Sequence, residues 1–460
     1  MCKKYINLAL LIILISVTGC EKFLDIKPKD KVIPKTVGDF KMLFNNLAVM
    51  NVVPSLGNIS DDDMYLTDAQ YKALFIPFTK NCYIWNSDVF VQSDDVRSWA
   101  AVYTKIYYAN TVLEGLADNP TGTIQEQNEL KGQAYYYKAE SFFDLVRTFA
   151  KQYNTGTAAT DPGVPLRDEA DINIKPKRAT VQEVYDRVLK DLDQAEQLLP
   201  ASTELNVTPI KSAALGLKAR VYLQMGNYDK AFEYADKCIK TKPDQLLDYN
   251  NYTQPLVGNN FAVTTYNNKE ILHVSVGAEF IYGPQCNVTP AYLNEHFPVG
   301  DKRRELFFRT QANGVYRFIG NYHDGLVNVG TPYPFNGITI AEMYLVRAEC
   351  YARKDKKDEA LNDLNALRIK RITPASYVPA TATNAEQALV LVLAERRKEL
   401  IFRNIRWYDL QRLNKESRFA KTLTRTVNGN TYTLPPGDPR YVMPIPANVI
   451  LMTGMPQNPR

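Results

Sequence analysis

The sequence predicts a mainly α-helical protein built on tetratricopeptide-like helical hairpins, interrupted by long irregular loops. Three observations carry this expectation. Apolar residues recur at helical spacing in four blocks, a capping box opens one of them, and one hairpin pattern appears twice with the same gaps. In the first block Trp99, Val102, Tyr103, Ile106, Tyr107, Asn110 and Leu113 form a single helical stripe. A second helical block follows over about 128–150. The third opens at Thr180-Val-Gln-Glu183, where the hydroxyl and the carboxylate can satisfy orphan amides of the first turn. It continues through Val184, Tyr185, Val188, Leu189, Leu192, Ala195 and Leu199, and Pro200 ends it.

From Ser212 onward, Ala219, Tyr222, Ala231, Cys238 and Pro243 fall where a tetratricopeptide repeat places small, aromatic, small, small and proline residues. Gly226 and Asn227 supply the turn. The gaps of three and nine residues recur at Ala348, Tyr351 and Ala360. Small residues are needed there because paired helices approach closely, and tyrosine fills the groove beside them. The expected scaffold covers about 96–243 and 338–415, with loop-rich regions at about 51–95 and 244–337. The second loop region is dense in asparagine and aromatic residues, and segments of such length without helical pattern usually carry function.

Composition narrows the function. At 460 residues the chain has room for one large domain or for two to three ordinary ones. The formal charge is +5, and removal of residues 1–19 with Lys3 and Lys4 leaves +3, too small a surplus for a nucleic-acid partner. Cys82, Cys238, Cys286 and Cys350 are widely spaced with no Cys-x-x-Cys pair. Disulfides among them are open to an exported protein, while the apolar helical setting of Cys238 and Cys350 favours buried thiols. The three histidines stand far apart with no metal-ligand spacing, and neither a nucleophile elbow nor a phosphate-cradling loop is present. No metal site and no cofactor are expected. Asp61-Asp-Asp63 and Asp94-Asp95 offer oxygen ligands to calcium, but a solvated, helix-initiating acidic turn accounts for them more simply.

The N-terminus carries an address. Lys3 and Lys4 precede an apolar run from Tyr5 to Val17, too short to span a bilayer, followed by Thr18, Gly19 and Cys20. The Val-Thr-Gly-Cys ending resembles the lipobox of bacterial lipoproteins, which implies cleavage after residue 19 and acylation of Cys20. Residues 1–19 are read as signal peptide, 20–35 as a lipidated tether and 36–460 as one folded domain.

Further motifs resemble the SusD/RagB family of Bacteroidetes outer-membrane lipoproteins along essentially the whole mature chain. They begin with Phe23-Leu-Asp-Ile-Lys-Pro28 and Pro34-Lys-Thr-Val-Gly-Asp-Phe40, and continue with Trp99-x-x-x-Tyr103-x-x-Ile106, Leu130-Lys-Gly-Gln-Ala134, Phe143-Asp-Leu-Val-Arg147 and Gly163-Val-Pro-Leu166. Ile340 to Glu349, Glu395-Arg-Arg-Lys-Glu-Leu400 and Arg406-Trp-Tyr-Asp-Leu-Gln-Arg412 are the most specific, and Met443-Pro-Ile-Pro446 closes the series. Lys138 and Glu140 depart from the family's usual arginine and aromatic. The resemblance implies a surface-exposed, non-catalytic lipoprotein that binds a nutrient, an oligosaccharide or a peptide, and sits over a SusC-like TonB-dependent transporter. The competing reading is an exported helical-repeat adaptor for peptides or proteins.

Two clusters of residues invite a site. The charged group Glu395, Glu399, Arg403, Arg406, Asp409 and Arg412 is expected to pair internally, Glu399 with Arg403 at i,i+4 and Asp409 with Arg412 one turn apart, rather than to catalyse. For a saccharide, aromatic faces pack on apolar sugar faces while amides bond hydroxyls. By position along the loops Tyr83, Trp85, Tyr282, Tyr316, Phe318, Tyr322 and Tyr333 are the candidate ligand-binding residues.

Overall fold

A computed structural model describes residues 34–118, 121–203, 206–253, 268–279, 286–320, 322 and 334–460. Short helices come first: α1 (Val37–Phe44), α2 (Leu47–Met50), α3 (Leu56–Ser60), α4 (Asp68–Lys72) and α5 (Pro77–Tyr83). The region 51–95 is therefore not irregular throughout, because short turns fold parts of it into helices of one to two turns, one of them capped. Thr67 accepts from the Gln70 amide in a capping box.

The scaffold then runs through α6 (Arg97–Asp118), α7 (Ile124–Phe149), α8 (Val181–Leu198), α9 (Lys211–Met225) and α10 (Tyr228–Thr241), each packed against the next. Thr123 caps α7 and Thr180 caps α8, and the backbone N–H of each donates in return to the glutamate carboxylate three residues on. The α7 helix lies close to the end of α8 because Gly132 has no side chain. A Cβ there would stand 2.9 Å from the Leu199 nitrogen and 3.0 Å from the Leu198 carbonyl carbon. Backbone atoms cannot swing aside, so Gly132→Ala is expected to destabilise the fold by about 1–3 kcal/mol despite its better helix propensity, as measured by urea unfolding.

The chain continues with α11 (Pro290–His296), α12 (Lys302–Phe307), α13 (Ile340–Arg353), α14 (Lys357–Arg368), α15 (Ala385–Glu399), α16 (Arg406–Leu413) and α17 (Ala447–Thr453). Both repeat hairpins form. Gly226, at φ 78°, closes α9 and leads into α10, and Ala219, Ala231, Cys238, Ala348 and Ala360 are fully buried at the helix contacts. The α10 helix packs directly on α13, so the hairpins stack although some hundred residues separate them. Phe232 meets Tyr351 at 4.9 Å, and Arg347 joins Asp236 of one hairpin to Asp363 of the other. All four described cysteines are buried free thiols. No helix among the described residues is long and apolar enough to cross a membrane.

Small strand pairs tie the insertions to this scaffold. In chain order they are β1 (Val52–Val53), β2 (Pro162–Pro165), β3 (Arg178–Thr180), β4 (Ile271–His273), β5 (Val276–Gly277), β6 (Asn287–Val288), β7 (Phe308–Thr310), β8 (Tyr316–Phe318), β9 (Ile338–Thr339), β10 (Leu423–Val427) and β11 (Asn430–Leu434). β1 pairs in parallel with β5, β4 pairs antiparallel with β9, and β6 and β7 flank β8. The β10–β11 hairpin turns on Asn428 and Gly429, both at positive φ, as a tight two-residue hairpin requires.

The charged cluster is buried and pairs differently from the expected pattern. Asp409 does hold Arg412, but Glu399 bonds Arg303 and Arg371, and Arg403 donates to the Gly320 carbonyl. The reason is local: α15 ends at Glu399, and Phe402 and Asn404 adopt left-handed φ of 55° and 56°, so no helical turn joins Glu399 to Arg403. Burial disfavours the ionised forms of Glu395 and Asp409, yet Arg303 and Lys398 on one and Arg396 and Arg412 on the other win, and both carboxyls are lowered to about 2. A folded pKa below the ordinary 4.5 or 3.8 means stability that is complete above about pH 5 and lost as pH falls towards 2. Glu395 contributes about 3 kcal/mol across that window and Asp409 about 2 kcal/mol. Unfolding midpoints measured from pH 6 to 2 should fall steeply, and Glu395→Gln should flatten the fall while lowering the plateau.

Candidate functional site

The two loop regions and the C-terminal hairpin meet at a cleft of about 450 Å³, in the size range of small-ligand sites. Its wall begins with Asp62 to Tyr65 after α3, continues with Tyr83 and Trp85 at the end of α5 and Thr289 and Tyr292 at the start of α11, and closes on Leu423 to Thr426 of β10. Trp85 is held at φ 55°, a conformation costly for a non-glycine residue, and its indole donates to the Ser60 carbonyl at 2.8 Å.

Arg425 organises this floor. Strand alternation turns Leu423, Arg425 and Val427 inward, so a guanidinium is carried into a buried position. It lies 4.0 Å over the Tyr83 ring and 4.7 Å over the Trp85 ring, and donates to the backbone carbonyls of Ile59, Tyr83 and Asp61. The planar fork therefore pins three segments of chain at once. Burial lowers its pKa from the usual arginine value, opposed by Tyr83 and Asp61.

The acidic run behind the cleft is neither solvated nor helix-initiating, in contrast to the turn expected from sequence. Asp61 is buried and caps the Asp63 amide; burial, then Asp63 and Asp62, push its carboxyl well up. Asp62 is desolvated too, but Arg406, Arg397 and Lys421 hold it well below the usual carboxylate range. Asp63 accepts from Arg397 at 2.7 Å and from the Tyr292 hydroxyl at 2.7 Å. Asp62 and Asp63 are thus held by cations from α15, α16 and the following loop, which joins the cleft to the scaffold. No cluster of three or more metal-ligating side chains occurs among the described residues.

Of the candidates named from sequence, Tyr83 and Trp85 come together in the cleft, both nearly sealed at 3% and 2% exposure. Tyr316 is half-buried in β8, whose partner strand β6 leads into the Thr289 and Tyr292 wall. Phe318 and Tyr322 lie in the core: Phe318 contacts Phe307, Phe308 and Phe402, while Tyr322 bonds the Tyr249 hydroxyl and stacks 3.9 Å from the Arg403 guanidinium. Cys20, Tyr282 and Tyr333 fall outside the described residues. Tyr65, 38% exposed, and Arg425 line the cleft without having been named. The signal for Arg425 was the Asn428-Gly429 pair between alternating residues, which marks a hairpin and fixes the inward set.

A stacked helical-hairpin scaffold whose inserted loops line a cleft defines a class of ligand-binding proteins. Comparison places the chain within it. The family described as "Starch-binding associating with outer membrane" matches residues 22–223, the "SusD family" matches 312–460, and a tetratricopeptide repeat matches 212–245. The chain belongs to the SusD/RagB family. A SusD-like protein of Formosa agariphila is 24% identical over 404 residues, 74% of this chain and 75% of its own. A putative sugar binding protein from Bacteroides vulgatus shares the fold with TM-score 0.73 at 22% identity, covering 93% of this chain and 99% of its own. A SusD superfamily protein from Bacteroides thetaiotaomicron also gives 0.73 at 22% identity, over 92% and 100%.

Proposed function

We propose that this protein is a lipid-anchored, non-catalytic binding protein on the outer face of the outer membrane. It captures a nutrient oligosaccharide and delivers it to a SusC-like TonB-dependent transporter, with Cys20 as the acylated residue. The observation that carries this reading is the cleft on Arg425. An aromatic floor fixed by a guanidinium, an exposed Tyr65 ring and flanking threonine hydroxyls suit the alternating apolar faces and hydroxyls of a sugar chain. Tyr65 and Tyr292 are the proposed contact residues within it, Tyr83 and Trp85 set the floor beneath them, and Tyr316 stands beside the wall they form. The non-catalytic part draws on the acids. A glycosidase needs one carboxyl free to give a proton and another free to attack or activate water, whereas Asp62 and Asp63 are committed to arginines and tyrosine.

The test pairs calorimetry with product analysis on the mature protein and a panel of oligosaccharides. Binding without any new reducing ends supports the reading; turnover of a bound glycan removes the non-catalytic claim. Co-purification of a large barrel from mildly solubilised outer membranes tests the partnership. Binding to peptides with indifference to every glycan would favour the adaptor.

A further inference from the structure

A second concavity of about 450 Å³ lies away from the Arg425 cleft, between α6, the loop after β2 and the C-terminal segment around α17. Its floor is one face of α6. Trp99, Tyr103 and Tyr107 stand at i, i+4 and i+8, so successive rings are about 6 Å apart along the helix. The row is rigid: Trp99 packs against Phe149 at 5.1 Å and Tyr103 at 5.0 Å, and the Tyr103 hydroxyl donates to the Pro165 carbonyl at 2.9 Å. Tyr107 keeps 42% of its surface exposed, and Ile172, Val449 and Met455 complete an apolar lining.

The opposite wall is already folded. Arg167 donates to the carbonyls of Asp171 and Ile174, closing the loop on itself, and the Ala170 amide donates to Glu114 at 2.7 Å. Asn110 fixes the junction. Its Nδ2 donates to the Arg167 carbonyl at 3.0 Å, which settles the orientation of the amide, and its Oδ1 then meets no donor among the described residues although the residue is only 1% exposed. A buried acceptor left without a donor is costly, and here it borders a preformed groove. Glu169 adds a second acceptor to the lining.

We infer that this α6 groove is a second saccharide-binding site, independent of the Arg425 cleft. The occupant must present an apolar face to a row of rings and hydroxyls to the exposed Glu169 carboxylate at the rim, and a sugar ring does both. A purely apolar occupant would leave Glu169 at the rim unused, and Arg167, which shares the lining, is turned to the Asp171 and Ile174 carbonyls. The inference rests on the saccharide-binding reading above and doubles it: one oligosaccharide chain, or two, would be held at two separate positions on one molecule.

Calorimetric titration with maltoheptaose, laminarihexaose, xylohexaose and mannohexaose tests it on the mature wild-type protein and three variants. Tyr107 is exposed enough that Tyr107→Ala should fold normally, as thermal unfolding will verify. With a saccharide that binds the wild type, two sites are expected. Tyr107→Ala should weaken one at least tenfold, Tyr107→Trp should keep it, and Tyr65→Ala should weaken only the other. A titration unchanged by Tyr107→Ala but weakened by Tyr65→Ala overturns the second site and leaves the cleft reading standing. No binding of any of the four by the wild type overturns both.

Discussion

Replacing Arg371 with leucine is expected to lower the free energy of unfolding by about 3–5 kcal/mol, measured by urea denaturation. Arg371 is fully buried; it donates to Glu399, to Glu270 and to the Leu247 carbonyl, and lies 3.8 Å over the Tyr249 ring. Glu399 also holds Arg303, which in turn binds Asp301 and Glu395. The network thus ties α15 to the chain after α14 and to the long insertion between the two hairpins. Loss of the guanidinium would strand the buried Glu270 carboxylate and leave Glu399 with Arg303 alone, where packing cannot solvate either. Glu270, which burial already biases towards the protonated form, would take up a proton, and its replacement by leucine in the same chain should recover part of the loss. A change below about 1 kcal/mol for the single variant would show that the network is incidental to the fold.

Arg425→Met should produce the largest effect on binding, a loss of at least tenfold in oligosaccharide affinity together with about 2–4 kcal/mol of stability. Methionine fills similar volume but donates nothing, so the carbonyls of Ile59, Tyr83 and Asp61 lose their shared donor and the Tyr83 and Trp85 rings lose the plane between which they are set. Arg425→Lys should rescue little, because a single ammonium cannot reach three carbonyls and stack on two rings at once. Comparing the calorimetric affinity of both variants at a temperature where each remains folded separates the binding loss from the stability loss. Wild-type affinity in Arg425→Met would remove the cleft from the site.

How far the sequence reaches depends on the range of the interaction concerned. The box at Thr180 and the alanines at 219, 231, 348 and 360 were effective guides because caps and helix contacts are set by residues within a turn or a hairpin. The helices of 51–95 were missed: each is a turn or two long, too short for a period to appear. Ranking aromatics by loop position alone placed Phe318 and Tyr322 beside Trp85, whereas the structure buries the first two against Phe307 and Arg403. Nothing local separates a ring that faces a cleft from one that fills the core. Glu399 illustrates the same limit for charges, since its partners come from residues 303 and 371 rather than from four residues away.

The sequence alone determined that helical hairpins would form, where several of them begin and end, and that the pattern is that of the SusD/RagB family. These properties rest on period, capping and close approach of small residues, all written locally. Only the tertiary structure decided which loops converge, that a strand near residue 425 supplies the cation under the aromatic floor, and that Asp62 and Asp63 are spent on ion pairs from the far end of the chain. Such contacts join residues more than three hundred positions apart, and burial, which fixes both their strength and their chemistry, exists only once the chain has closed around them.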